Sequence, residues 1–248
     1  MDIKNIYSKK LRIVMVATIL GLVFSRSIVI AQHLPDSTDI QRRIAEAVYD
    51  RLGIAALVDT NGVILGLSGD RMNIGLNATD PVERSFQFLE LHADLFGFIN
   101  PREEFTVKNY HPGPHYTYDY SGAVFFQQMV EGVKVVNAGY QIHYDPDSTS
   151  FKFTWLVGRI IPEARRINTT PTVSQMQAES MAMSDPEHAP YLEQVTIGLT
   201  ELVIESVDNV WRLAWKINVQ NGRFAGSANY WIDANTAEVL KMERGSIY

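Results

Sequence analysis

The clearest pattern of hydrophobic and polar positions lies near the C-terminus of the chain, in residues 210–219. Apolar Trp211, Leu213, Trp215, Ile217 and Val219 alternate there with Arg212, Ala214, Lys216 and Asn218. Successive side chains of a β-strand point to opposite faces of its sheet, so this alternation is typical of a strand with one buried face. We therefore predict a half-buried strand here. Other apolar runs predict strands at 195–199, 201–205, 229–234 and 239–242.

A second strand-like region, residues 124–144, has two runs rich in β-branched and aromatic residues on either side of Glu131-Gly132. Glycine readily adopts the positive φ that a tight hairpin turn needs. A helix over the same residues would hold interior glycines, at a cost of about 1 kcal/mol each relative to alanine. The pattern predicts a β-hairpin with a break near Asn137-Ala138-Gly139, and further strands at 105–110 and 151–156.

The first helical pattern lies directly after the N-terminal region of the chain. Ile40, Ile44, Val48 and Leu52 recur every four residues and Gly53 follows, which predicts an amphipathic helix over 36–53. Beyond it, two short apolar runs flank Asp59-Thr60-Asn61-Gly62. Asn-Gly is the strongest short hairpin signal, so two short strands are predicted at 55–58 and 63–67.

Two more helices are predicted from their start and stop signals. Asp80 can cap a helix, Pro81 suits its first position and Gly97 suits its end. Its wide apolar stripe fits a helix cradled by a curved sheet. Thr172 and Gln175 have capping-box spacing, which predicts a helix to about residue 183. The apolar positions of that last helix are Val173, Met176, Ala178, Met181 and Ala182.

The chain thus consists of two halves in which a helix precedes several antiparallel strands, an α+β arrangement. We predict two tandem modules, each with one helix packed on a curved antiparallel sheet, behind a signal peptide. The predicted boundaries are 1–31 for the signal peptide, 32–53 for an N-terminal helical segment, 54–168 for the first module and 169–248 for the second.

The first 31 residues have the three parts of a secretory signal peptide. Basic residues at 4, 9, 10 and 12 precede an apolar run over 13–24, and Val29-Ile30-Ala31 suits cleavage after Ala31. The alternative is an uncleaved anchor, but twelve apolar residues fall short of the ~20 that span a bilayer. We therefore expect a secreted or periplasmic protein that meets the membrane only if this peptide stays uncleaved. With 0 cysteines, the chain forms no disulfide.

Net charge narrows the possible partners. The chain carries −6, and removal of residues 1–31 leaves 17 basic and 27 acidic residues, a formal charge of −10. We see no basic cluster in the sequence to offset this charge. An acidic surface repels phosphate backbones, so we expect no nucleic-acid partner.

No set of residues has the spacing of a catalytic or metal site. His111 and His115 form the only close histidine pair, but prolines and a glycine between them exclude a helix and no third ligand is evident. His92 and His143 have neither a nucleophile nor an orienting acid at informative spacing. We predict no catalytic, cofactor-binding or metal-binding residues, no cofactor and no enzymatic activity. Asp59 and Asp233 are predicted to form turns.

With these elements in place, the chain resembles the propeptide region of thermolysin-type and fungalysin-type metalloproteases. The matching stretches of the first module are residues 88–97 (FLELHADLFG), 126–135 (FQQMVEGVKV) and 142–145 (IHYD). The second module resembles a PepSY domain in Gln177-Ala178, in 212–217 (RLAWKI) and in 231–234 (WIDA). The resemblance implies cystatin-like folds. Lys134 and Ala237 depart from it, since the families often carry Pro and Gly at these places.

The resemblance also implies a function. In the family, these domains assist folding of the protease domain and keep it inactive, yet this sequence contains no His-Glu-x-x-His. We therefore expect a secreted non-catalytic protein that binds a secreted thermolysin-type metallopeptidase as inhibitor or folding chaperone. The alternatives are an extracytoplasmic binding module unrelated to proteases, or the remnant propeptide of a lost or truncated metalloprotease. Gln128, Val130 and Gly132 also match the Gln-x-Val-x-Gly hairpin of cystatins, but the chain lacks the Pro-Trp hairpin that cystatins use with it.

Overall fold

A computed structural model of the protein describes residues 37–69, 78–112, 122–145, 152–185, 195–221 and 227–244. The predicted signal peptide and most of the loop after His111 lie outside these residues. The helices are α1 Ser37–Leu52, α2 Pro81–Leu91, α3 Ala93–Phe96, α4 Pro101–Glu104 and α5 Gln175–Met183, with a 3₁₀ turn at Pro162–Arg166. The strands are β1 Ala55–Val58, β2 Ile64–Ser68, β3 Phe105–His111, β4 Gly122–Val130, β5 Val133–Val135, β6 Gly139–Asp145, β7 Lys152–Arg159, β8 Val195–Val207, β9 Val210–Asn221, β10 Ser227–Asp233 and β11 Val239–Arg244.

The predicted α+β class, with helices on antiparallel strands, is confirmed. The chain forms two compact units that are discontinuous in sequence. Unit 1 consists of residues up to Phe98, Tyr110–Val124 and Gln141–Arg159, and unit 2 of Ile99–Asn109, Phe125–Tyr140 and Ile160–Tyr248. The domain boundaries expected at 54 and 168 remain predictions. Among the described residues, no helix has the length and apolar character needed to cross a membrane.

Unit 1 places its helices against short antiparallel strands. β1 and β2 form the expected hairpin, in which Asp59 Oδ1 accepts hydrogen bonds from the backbone amides of Asn61 and Val63, both at 2.8 Å. β2 also pairs with β7. Asp80 caps α2 by accepting from the amide of Glu83 at 2.8 Å, and Phe88 of this helix packs on Phe153. The turn predicted at Asp59 and the cap predicted at Asp80 are thus confirmed.

Unit 2 contains an antiparallel meander, β8–β9–β10–β11, with α5 on one face. The apolar side chains between helix and sheet form a continuous core, whose buried members are Val173, Ala178, Ala182, Val195, Ile217, Val219, Ala228, Tyr230 and Ile232. β5 pairs with β8 in parallel, through Lys134 opposite Val203 and Val135 opposite Ile204. This parallel pair was not predicted, because it joins residues about 70 positions apart.

The hairpin predicted at Glu131-Gly132 is present between β4 and β5. Glu131 has φ +49° and Gly132 has φ +83°, so both central residues of the turn are left-handed, as in a type I′ turn. The predicted break is confirmed at Val136–Ala138, where β5 has ended and β6 has not begun. Gly139, with φ +149°, begins β6.

Several predicted boundaries were wrong. The strands predicted at 195–199 and 201–205 are one strand, β8, whose register shifts between Ile197 and Thr200. The helix predicted to reach Gly97 is interrupted at His92, which has non-helical backbone angles between α2 and α3. α4 was not predicted, although Asn100 caps it and Pro101 begins it, which is a usual start signal.

The capping box of α5 lies two residues later than predicted. Ser174 and Gln177 form it, rather than Thr172 and Gln175. The hydroxyl of Thr172 donates to the carbonyl of Asn235 at 2.8 Å, and the amide of Thr172 donates to Ala234, so this residue is held in the preceding loop. Met176, one of the apolar positions named for this helix, is 77% exposed, because it precedes the buried Ala178 by two residues, or about 200° around the helix.

Candidate binding surface

The face of the unit 2 meander opposite α5 carries a row of polar and aromatic side chains. In the strand register, Glu201 of β8 lies opposite Lys216 of β9, Lys216 opposite Trp231 of β10, and Trp231 opposite Lys241 of β11. Because alternate residues point to opposite faces, these four side chains share the face that α5 does not cover. We call Glu201, Lys216, Trp231 and Lys241 the cross-strand row.

Trp231 is the centre of the row. Its side chain is 3% exposed and packs with buried Val203 and Ala214. The ammonium nitrogen of Lys241 lies 4.5 Å from the centroid of the indole, and that of Lys216 lies 5.0 Å from it. Both distances are those of cation–π contacts, each contributing about 0.5–2 kcal/mol. The two ammonium groups are therefore held beside the same ring.

Two side chains of the row, Glu201 and Lys241, already form ion pairs. Glu201 Oε2 lies 3.2 Å from Lys134 Nζ, on β5, and Lys241 Nζ lies 2.6 Å from Glu243 Oε1. In the part of the chain that the structure describes, no ion pair is formed by Lys216 within 4.0 Å. The row thus contains one ammonium group without a carboxylate and a second whose partner is an exposed residue of its own strand.

The next row on the same face is made of amide side chains. Asn218 lies opposite Asn229, and Asn218 Nδ2 donates to Asn229 Oδ1 at 3.0 Å. Gln220 Nε2 donates to Asn218 Oδ1 at 3.3 Å. These groups can both donate and accept hydrogen bonds, so they suit the backbone of a peptide better than an apolar ligand.

On the other side of the cross-strand row, where it lies opposite Ala214, Asp233 is fixed in a turn, as predicted. Its Oδ1 accepts from the amides of Asn235 and Thr236, and its Oδ2 lies 3.2 Å from Arg212 Nη1. Burial of Asp233 opposes ionisation, but these hydrogen bonds and the Arg212 charge outweigh it, so the pKa of Asp233 lies below its ordinary value. Asp233 is therefore a structural carboxylate.

A shallow cleft of about 420 Å³ lies beside α5. Its lining residues are Thr172, Val173, Gln177, Ser180, Met181, Asn235 and Ala237. Two of its polar side chains are committed to other bonds, since the Thr172 hydroxyl donates to the carbonyl of Asn235 and Gln177 belongs to the capping box.

The histidines considered as candidate ligands or bases are His92, His111, His115 and His143. His92 and His143 are 3% and 4% exposed, and the ring of His143 stacks on Trp155 at 3.6 Å. His111 ends β3, and His115 lies outside the described residues. Among the residues that are described, no group of three or more His, Cys, Asp or Glu side chains is placed to hold a metal ion.

The cystatin-like hairpin sequence has a structural explanation. Gln128 is 1% exposed, and its carboxamide is bonded to the backbone of Ile161. The neighbouring Gln127 donates to the carbonyls of Val135 and Ala138, at 2.6 and 2.8 Å, and holds the break before β6. These glutamines hydrogen-bond the backbone around the hairpin, and their buried side chains are not accessible to the cleft of a protease.

The cross-strand row was not found from the sequence. Alternation in β9 placed Lys216 on the face opposite the apolar residues, but Trp231 and Lys241 join it only through the strand register. Local patterns do not specify which residues of three strands stand side by side. The only sign of the cross-strand row in the sequence was the presence of two lysines and a tryptophan in neighbouring predicted strands.

No family model matches the chain. No curated protein matches it either. Among solved structures, the chain is similar to the Bacillus megaterium YpeB C-terminal domain, with 16% sequence identity, a TM-score of 0.36, and coverage of 84% of this chain and 97% of that chain.

Proposed function

We propose that the protein is a secreted, propeptide-like binding protein that engages a thermolysin-type metallopeptidase as inhibitor or folding chaperone, without chemistry of its own. The observation that carries the proposal concerns residues 126–135, the stretch that resembles the metalloprotease propeptides. Its polar side chains bond the protein's own backbone. Gln127 and Gln128 hold backbone groups at 135, 138 and 161, so this stretch builds a rigid hairpin. A rigid scaffold with a sheet face that α5 does not cover is suited to recognition of a surface.

The placement of the histidines supports binding over catalysis. A general base must reach the proton it removes, within about 2.6–3.2 Å or through one water. The rings of His92 and His143 are buried, so neither reaches a substrate in this conformation. The carboxylates with described side-chain partners, such as Asp233 and Glu104, are tied to Arg212 and Arg165.

The proposal is tested with the purified chain from residue 32 onwards. It is mixed with a panel of secreted thermolysin-type metallopeptidases, and hydrolysis of a short fluorogenic peptide is measured together with complex formation by size-exclusion chromatography. We expect saturable inhibition of at least one peptidase, or a higher refolding yield of the denatured peptidase. A subtilisin-type serine peptidase is the control and should be unaffected. Absence of inhibition, complex and refolding assistance across the panel would overturn the proposal.

The second candidate is a binding module with no connection to peptidases. The cross-strand row favours it, since this row provides two positioned ammonium groups that the propeptide resemblance does not explain. Affinity capture with the purified chain separates the two candidates. The first requires a metallopeptidase among the captured proteins, and the second requires partners selected by charge alone.

A further inference from the structure

We propose that Lys216 and Lys241, in the strands on either side of Trp231, form a binding site for an acidic peptide segment of a partner protein. Carboxylates of that segment would pair with the two ammonium groups. This inference does not depend on the partner being a peptidase, because it concerns only the chemistry of the cross-strand row.

The first step of the argument is geometric. Lys216 and Lys241 stand two strands apart, which corresponds to roughly 10 Å at about 4.8 Å per strand. Contacts with the Trp231 ring at 5.0 and 4.5 Å fix the ammonium groups without neutralising them. Less side-chain freedom is then lost when a ligand binds. Because both nitrogens lie within 5.0 Å of the same ring centroid, they are at most 9.5 Å apart. A ligand that meets both groups needs two carboxylates within this distance, as neighbouring acidic residues of a peptide provide.

The second step concerns charge. Glu201, opposite Lys216 in the register, is paired with Lys134, and Lys216 has no carboxylate partner within the described ranges. Lys241 is paired with Glu243, whose side chain is 53% exposed. Exposed ion pairs are weak and readily exchanged for an external carboxylate. The row is therefore a local positive site on a chain whose formal charge is −6.

The third step concerns the donors beside the lysines. The indole Nε1–H of Trp231 is buried and donates to no acceptor in the described part of the molecule. Asn218 and Asn229 lie in the adjacent row and can bond a peptide backbone. The combination of ammonium groups and amides favours a polypeptide carrying carboxylates, whereas the indole N–H is buried and is not open to a ligand. A nucleic acid would bring many phosphates close to an acidic chain, which opposes its binding.

The test uses the mature chain and a hexaglutamate peptide with blocked ends, titrated by isothermal calorimetry at low salt. We expect saturable binding that weakens as salt is raised, and no binding of the matching hexaglutamine peptide. Lys216→Gln and Lys241→Gln should each weaken binding several-fold and together at least tenfold, while Lys216→Arg retains it. The melting temperature of each variant confirms that it is folded.

Lys108→Gln is the matched control, since Lys108 is an exposed lysine of β3 that takes no part in the row. It changes the net charge by the same amount and should leave the affinity within twofold. Equal binding of hexaglutamine, or equal loss of affinity in the Lys108 variant, would overturn the proposal. A six-nucleotide thymidylate that binds more tightly than hexaglutamate, with the same dependence on Lys216, would also overturn it in favour of a nucleic-acid site.

Discussion

The side chain of Gln128 forms two hydrogen bonds with the backbone of a single residue, Ile161. Its Oε1 accepts from the Ile161 amide at 2.8 Å, and its Nε2 donates to the Ile161 carbonyl at 3.1 Å. Ile161 lies outside any strand, so its buried amide and carbonyl lack the partners that a strand pair would supply. The glutamine thus takes the place of a neighbouring strand.

Replacement of Gln128 by methionine should be strongly destabilising. Methionine keeps the length of the side chain but leaves the Ile161 amide unsatisfied, whereas the Ile161 carbonyl still accepts from the Ala164 amide at 3.2 Å. An unsatisfied buried donor costs about 1–3 kcal/mol, and we expect the free energy of unfolding in urea denaturation to fall by about that amount. Gln175→Met is the control, because Gln175 is exposed and bonds Glu179 on the surface of α5. A loss of stability no larger than in this control would contradict the role of Gln128 in bonding the backbone of Ile161.

Replacement of Ala237 by glycine should stabilise the protein. Ala237 has φ +64°, and its amide donates to the Asp233 carbonyl at 3.0 Å, so its left-handed conformation closes the turn between β10 and β11. This conformation costs a residue with a Cβ roughly 1–2 kcal/mol. Since glycine also loses more backbone freedom on folding, we expect a net gain of about 0.5–1 kcal/mol, seen as a higher melting temperature.

Ala178→Gly is the control for this substitution. Ala178 is fully buried in α5 with helical neighbours, so glycine there should cost about 1 kcal/mol or more. If both glycine variants were destabilised, the left-handed turn at residue 237 would be in error.

Replacement of Gly139 by alanine should be more damaging than other glycine substitutions. A Cβ at this position would lie 1.9 Å from the carbonyl oxygen of Phe126, a backbone atom that cannot rotate away. We expect a loss of several kcal/mol or failure to fold, measured by chemical denaturation and circular dichroism. Gly97→Ala is the matched control, because Gly97 also has a positive φ, +72°, but no neighbouring atom lies within 4 Å of a Cβ there. That variant should lose only about 1–2 kcal/mol.

Turns and caps were predictable because their signals are local. Asp80 caps α2, Asp59 organises the first hairpin, and Glu131-Gly132 turns the second, each through groups within a few residues. The start of α5 shows the limit of such signals. Two overlapping box sequences compete there, and the choice between them is made by the distant bond from Thr172 to Asn235.

The pairing of distant strands was not predictable from local patterns. The parallel contact of β5 with β8, and the row formed by Lys216, Trp231 and Lys241, depend on register across strands that are separated in sequence. Gln128 was noted for its sequence context, but its partner Ile161 is 33 residues away. A single sequence shows which face of a strand is buried far better than it shows which strands pair with it.

Acid should destabilise the protein through His92. This ring is 3% exposed, neither of its nitrogens has a hydrogen-bond partner among the described residues, and it packs edge-on against Phe88. Burial, and then the positive charge of Arg51, lower the pKa of His92, with Asp94 opposing this shift. Above pH 6.5 the ring is neutral in both the folded and the unfolded chain. As the pH falls below 6.5, the unfolded chain binds a proton first, so the free energy of unfolding decreases until the folded pKa is passed.

His92→Leu removes this titration and tests its source. Comparison of urea denaturation between pH 7.5 and 5 should show a smaller loss of stability for the variant than for the parent chain, because leucine keeps the apolar contact with Phe88 and binds no proton. His111→Leu provides the matched control for the loss of a histidine, since His111 is exposed at the end of β3. An equal acid dependence in the parent chain and the His92 variant would mean that other groups control it. Such a result would also mean that the pKa of His92 is not lowered in the folded chain.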